Sequence, residues 1–255
     1  MDEKESLSYW DNLWKKDNYY AFWDIPTETD GIYSLLLNAI CNSRPGQTIL
    51  EVGSGPGTRS IPLAKEKNLQ LSLLDKLQSA HNLAEKRSKR YGIVSSFILG
   101  DARDLPMENE SFDYVVSIGL NEHFFAEDRI KVFSEMERVT KKGGCTAVIV
   151  PNKWGAIRLE QIIKERNKTW KYGPTELFSY HELRESMNSL EFSKVELYGV
   201  SFFTSFIRLL PQKVQRKIFN NKSLWKSLTK FPGNFNINSK INKYFGEEIM
   251  AVGYR

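Results

Sequence analysis

Short apolar runs rich in β-branched residues alternate along this chain with longer, more polar stretches. The runs at 48–52 (Thr-Ile-Leu-Glu-Val), 70–74, 95–99, 112–118 and 145–150 read as strands, since each is strand-length and apolar. Between and around them the pattern predicts helices over 32–41, 58–67, 77–91 and 126–140, with Gly143-Gly144 turning the chain into 145–150. Such alternation implies an α/β fold whose parallel sheet carries helices on both faces. Ligands of these sheets sit at the carboxyl ends of the strands, where strand order switches. Beyond Pro151 the spacing loosens into helices over 154–167 and 179–189, a strand over 192–198 and a last strand over 247–253.

The 255 residues are read as a single domain: a cap (1–30), a cofactor-binding core (31–200), an insert (201–245) and the last strand (246–255). The cap holds Tyr9, Trp10, Trp14, Tyr19, Tyr20, Phe22 and Trp23, aromatics that need burial against the body. No run of 18 apolar residues occurs, so no membrane span is expected. The first residues are acidic and polar, unlike a signal peptide, and Cys41 and Cys145 have no metal-ligand spacing. A cytoplasmic protein with reduced thiols is the expectation.

Charge changes the picture more than composition does. From Leu197 to Gly246 there is no Asp or Glu, while nine Lys and Arg occur; the remainder holds 27 basic and 31 acidic residues. The net charge of +5 therefore resides in one segment, which implies a local anionic partner or surface.

The chemistry begins at Ile49-Leu-Glu-Val-Gly-Ser-Gly-Pro-Gly57, a strand running into glycines at alternate positions. Glycine allows the turn and a close backbone approach to a ligand. Asp75 ends the second strand, where a carboxylate can accept both hydroxyls of a ribose. Asp101 follows the third, where it can read an exocyclic amino group of adenine. An NAD fingerprint would place its third glycine at 58, where this chain has Thr.

With Gly-Asp-Ala-Arg-Asp-Leu-Pro (100–106), Ser-Phe-Asp-Tyr-Val-Val-Ser (111–117), Glu122-His123 and Glu-Met-Glu-Arg-Val-Thr-Lys-Lys-Gly-Gly (135–144), the chain resembles the class I S-adenosylmethionine-dependent methyltransferases of the small-molecule type 11 group. The resemblance covers about residues 45–152. It implies a Rossmann-like seven-strand, mostly parallel sheet with an antiparallel last strand, here with an aromatic N-terminal cap and a helical insert before that strand. It further implies S-adenosylmethionine as cofactor, with Gly53, Ser54, Gly55 and Gly57 beside its methionine portion and Glu51 near its amino group. Asp75 with Lys76 would hold the ribose, Asp101 with Ala102 the adenine, and Gly119 and Leu120 would flank the adenosine. Transfer to a small-molecule acceptor is implied, O- or N-methylation being favoured over C-methylation. The rivals are a non-catalytic cofactor-binding partner protein and a methyltransferase acting on RNA or protein. The tetrapeptide of base-methylating enzymes is absent near 121, so no specific nucleic acid is expected.

Methyl transfer needs alignment and exclusion of water, and a base only where the acceptor must lose a proton. His123 is the first candidate for that base, its ordinary pKa being near neutrality, and Glu122 the second; His123 is also read as a purely structural residue. No metal cluster is expected, since His81, His123 and His181 lack ligand spacing. His81 is read as a solvated surface residue, and His181 as capping or pocket-lining. Trp154 and Tyr172 fall where an acceptor wall is expected, and Tyr9, Trp10 and Trp14 have the helical spacing of a lid. The basic insert has three readings: a cap over the acceptor pocket, a peripheral contact with an anionic membrane, or an RNA- or phosphate-binding surface.

Overall fold

The computed structural model describes residues 3–15, 30–229 and 236–255; Tyr19, Tyr20, Phe22 and Trp23 of the expected cap, with Phe231 and Phe235 of the insert, lie outside them. Helix α1 (Glu3–Trp14) precedes α2 (Gly31–Ala39), which Asp30 caps by accepting the Ile32 and Tyr33 amides. Then follow β1 (Thr48–Val52), α3 (Ser60–Lys67), β2 (Gln70–Asp75), α4 (Gln78–Tyr91), β3 (Ser95–Leu99) and β4 (Phe112–Ile118). Next come α5 (Ala126–Arg138), β5 (Thr140–Pro151), α6 (Ala156–Arg166), α7 (Tyr180–Asn188) and β6 (Lys194–Val200). The insert folds as α8 (Phe202–Ser205), a 3-10 turn (Phe206–Leu209), α9 (Gln212–Asn220), α10 (Lys222–Thr229) and α11 (Lys240–Phe245), before β7 (Glu248–Tyr254).

The strands form one sheet in the order β3-β2-β1-β4-β5-β7-β6. Only β7 runs against its neighbours, pairing antiparallel with both β5 and β6. Adjacent apolar residues serve opposite faces, as the two-residue period of a strand dictates. Ile49, Leu73, Val116 and Ile149 join α2, α3 and α4 in one core; Leu50, Leu74, Val115 and Val148 join α5 and α7 in the other. Both faces are therefore covered, which is why these strands read as continuous apolar runs.

The boundaries depart from the sequence expectation most at Gly143-Gly144. These residues do not turn the chain into β5 but lie inside it, in a bulge where the register jumps from Phe112↔Thr140 to Tyr114↔Cys145. A Cβ on Gly144 would stand 2.4 Å from the Asp113 carbonyl oxygen, so the close crossing requires glycine there. Arg255 locks the bulge: its amide donates to the Gly144 carbonyl, and its own carbonyl accepts from the Gly143 amide.

Candidate functional site

A cavity of about 550 Å³ opens at the carboxyl ends of β1, β2 and β4, on both sides of the strand-order switch. Gly53, Gly55 and Gly57 all hold positive φ, at 66°, 49° and 61°, so the loop winds tightly against the end of β1. A Cβ on Gly53 would collide with Leu120 at 2.5 Å, and one on Gly55 would press on the Trp14 ring at 3.1 Å. Ser54 donates its amide to the Leu74 carbonyl at 2.9 Å and lines the same wall.

Asp75 holds this loop in place. Its carboxylate accepts from the Gly55 amide at 2.8 Å and from the Leu77 amide at 2.9 Å while facing the cavity. Burial raises its pKa, against the pull of those two bonds. Glu51, 3% exposed at the cavity floor, has one carboxyl oxygen with no hydrogen-bond partner. Burial pushes its pKa up to about 8. Such a carboxyl wants a cation or a donor from a ligand.

Asp101 is more heavily engaged. It accepts from Arg103 through its amide (3.0 Å), Nε (3.0 Å) and Nη2 (2.7 Å), and from Lys76 Nζ at 3.1 Å. The Arg103 bonds, foremost, hold its pKa well below the usual carboxylate range. All four acceptor positions of the carboxylate are thus taken, so reading an adenine amino group requires one of these bonds to yield. Ala102 is buried beside it and lines the cavity, as do Gly119 and Leu120 after β4.

The acceptor end gathers round Asn121-Glu122-His123, a 3-10 turn. Segment 174–177 is laid against it: the Glu176 amide donates to the Glu122 carbonyl at 2.9 Å, and His123 Nδ1 meets the Pro174 carbonyl at 3.3 Å. That carbonyl can only accept, so Nδ1 carries the proton, and burial pushes the imidazole pKa down. His123 lines the cavity as a neutral ring tied to the wall, while Glu122 lies 4% exposed with an unpartnered carboxyl oxygen and a pKa pushed by burial up to about 8.

Aromatic rings complete the wall. Trp10 stacks on Trp14 at 5.4 Å, meets Tyr172 at 5.8 Å and stands edge-on to His123 at 6.0 Å; Trp170 packs on Tyr172 at 5.0 Å. Helix α1 thereby closes one side of the cavity, fastened by Ser79 Oγ donating to Asp11 at 2.7 Å.

Four expectations need correction. His81 is not solvated: it is 5% exposed, turned into the body with its ring 5.9 Å from Phe97, because α4 packs that face on the sheet. Trp154 is 63% exposed and lies outside the cavity; Asn152 Oδ1 accepts its amide and turns the chain outward there. His181 neither caps nor lines, since Ser179 and Glu182 form the capping box and the His181 ring packs on Tyr180 and Tyr244. No described residue of 201–245 lines the cavity; the 3-10 turn 206–209 instead packs behind α6, whose Ile157 and Glu160 do. Trp170 and Arg103 went unassigned in the sequence, the first because nothing in its short polar segment marks a wall. Among the described residues no metal-binding cluster occurs.

Residues 49–144 match a family model described as "Methyltransferase domain". The chain is 25% identical over 160 residues to ajmaline N-methyltransferase of Rauvolfia serpentina, a stretch covering 57% of this chain and 54% of that protein. It is 41% identical over 101 residues to demethylmenaquinone methyltransferase of Renibacterium salmoninarum, 39% of each chain. The chain thus spans about half or less of the length of these relatives. Among solved structures, a SAM-dependent methyltransferase from Archaeoglobus fulgidus superposes with a TM-score of 0.62 over 94% of this chain and 100% of that one, at 15% identity.

Proposed function

We propose, from the premise that this chain carries a class I, S-adenosylmethionine-dependent methyltransferase domain, that it transfers a methyl group to the oxygen or nitrogen of a small-molecule acceptor. The observation that carries the reading is the convergence, at one cavity, of the positive-φ glycine loop, Asp75 and the unpartnered carboxyl oxygen of Glu51. These residues fit the cofactor. Glu51 offers its ammonium a buried carboxyl with an open acceptor oxygen, Asp75 retains acceptor capacity for ribose hydroxyls, and Ala102 and Leu120 offer apolar contact. When bound, S-adenosylmethionine supplies a methyl group activated by its sulfonium.

The remaining work falls to the chain. The glycine loop and Asp75 fix the position of one reactant, and the aromatic wall of Trp10, Trp170 and Tyr172 orients the other. Trp10 and Trp14 exclude water from the side they cover. In this proposal Glu122 takes a proton from the acceptor, and His123, whose Nδ1 meets the Pro174 carbonyl, holds the 121–123 turn against segment 174–177.

Calorimetric titration with S-adenosylmethionine and S-adenosylhomocysteine tests the reading. The wild type binds both, and Asp75→Ala binds at least tenfold more weakly, having lost the ribose acceptor and the anchor of the Gly55 amide. No binding to the wild type would overturn the cofactor assignment. Binding without turnover over a broad acceptor panel would favour a non-catalytic partner protein.

The insert supports a further part of the proposal, a peripheral contact with an anionic membrane. Its described apolar side chains Phe206, Leu209, Leu210, Val214 and Leu224 stay exposed beside Lys213, Lys217 and Lys226, with no acid between 197 and 246. No described helix is long and apolar enough to cross a membrane.

A further inference from the structure

Resting on the methyltransferase reading, we infer that the acceptor is a protonated amine with a flat apolar body, its nitrogen received by Glu122 and its body by Trp10, Trp170 and Tyr172. The sign of the cavity is the first argument. Seven acidic side chains line it (Glu51, Asp75, Asp101, Glu122, Asp128, Glu160, Glu248), Glu51 and Glu122 with pKa values raised by burial and Glu160 paired to Lys164 at 2.6 Å, beside three cations, Arg59, Lys76 and Arg103. Those cations are already committed: Arg59 to Asp30 at 2.9 Å, Lys76 to Asp101 at 3.1 Å, and Arg103 to Asp101 and Asp128 at 2.7 and 2.8 Å. An anionic acceptor would thus find its lining cations already held by acids, whereas Glu51 and Glu122 each keep a carboxyl oxygen open to a donor.

Glu122 is the second argument. Its carboxyl oxygen is buried, faces no hydrogen-bond partner and belongs to the turn next to Gly119, whose Cβ would lie 3.5 Å from the other carboxyl oxygen. Glu51 is the other such acid, but it stands below the glycine loop at the end of β1, where the methyl donor's own ammonium belongs. One orphaned carboxyl per ammonium leaves Glu122 for the acceptor.

The wall beside it supplies the rest. Trp10, Trp170 and Tyr172 present ring faces and edges next to His123, a surface that attracts a cation and packs on a flat apolar body. Burial also brings the Glu122 carboxyl into the range where it exchanges a proton with an amine near neutral pH. The step balances. The carboxylate takes one proton from the ammonium, and the freed nitrogen lone pair forms the bond to the methyl carbon. The carbon–sulfur bond breaks with its electron pair going to sulfur, and the proton on Glu122 leaves to solvent with the product.

The test uses matched probes: tryptamine, tryptophol and indole-3-acetate, and 2-phenylethylamine with its alcohol and acid, each titrated into protein saturated with S-adenosylhomocysteine. At least one amine binds tenfold or more tighter than its alcohol, and its acid binds weakest. In Glu122→Gln the preference falls below about threefold, with S-adenosylhomocysteine affinity retained and a thermal midpoint no lower than the wild type's as the check of folding. Should that variant not fold, Tyr172→Leu carries the test, with amine affinity lost at least fivefold and Tyr172→Phe restoring it. No amine binding better than its alcohol, a preference surviving Glu122→Gln, or amine affinity unchanged in Tyr172→Leu overturns the inference while leaving cofactor binding intact. Absence of S-adenosylhomocysteine binding overturns the methyltransferase reading and this inference together.

Discussion

Glu51 and Glu122 are buried carboxyls without a full set of partners, and the fold carries their cost. Both have folded-state pKa values near 8, above the ordinary value of 4.5 in the unfolded chain. The folded chain therefore holds protons that the unfolded chain releases between those limits. Stability is greatest below about pH 4.5 with respect to these two groups and falls as pH rises toward 8. Glu51→Gln and Glu122→Gln remove that slope. In the absence of ligand each variant melts higher than the wild type at pH 8 and converges with it near pH 5, read by thermal unfolding across that range. An equal gap at both pH values would refute the assignment. The positions of both acids were legible, Glu51 within β1 and Glu122 after β4, but their isolation was not. Isolation depends on which neighbours fail to reach them, and Ser54 or His123 could have done so for all the sequence says. Asp101 shows the converse. Its place after β3 was legible, whereas the four bonds from Arg103 and Lys76 that occupy it were not.

Among the elements, the return of the insert to the sheet depends on one buried amide. Asn242 of α11 accepts the Phe202 amide at 3.2 Å and donates to the Asn236 carbonyl at 2.9 Å, while its backbone carbonyl passes against Gly199 of β6. Asn242→Leu leaves both partners unsatisfied in a buried place and should cost about 2–4 kcal/mol, measured by urea unfolding. A loss under about 0.5 kcal/mol would show that water replaces the amide freely. Strands and helices over 48–140 were legible because each has its own period and turn signals. The bulge at Gly143-Gly144 was not, since a glycine pair marks a turn and a close backbone crossing alike. Trp154 and His81 failed for a related reason. A single aromatic or histidine carries no periodicity, and its burial is set by how its helix or loop is rotated in the tertiary structure.

At the scale of the molecule, the basic segment and the cavity sit in different places. Within the acid-free segment 197–246 the 3-10 turn 206–209 packs on α6, and no described residue of 201–245 lines the cavity. Sedimentation with vesicles containing anionic lipid should capture the protein at low salt and release it as salt rises, while neutral vesicles leave it in solution. No capture at low salt would remove the membrane proposal. The architecture itself was legible almost whole, including the antiparallel last strand that the family resemblance implied. That strand also divides the chain by tolerance to change. β7 lies between β5 and β6, so residues 201–247 leave the sheet at β6 and rejoin it next door. Loop-closure cost grows only with the logarithm of length, so even doubling this connection would cost roughly 0.6 kcal/mol. Evolution can therefore lengthen, shorten or recharge that segment, and with it the surface the protein presents, without moving a single residue of the glycine loop.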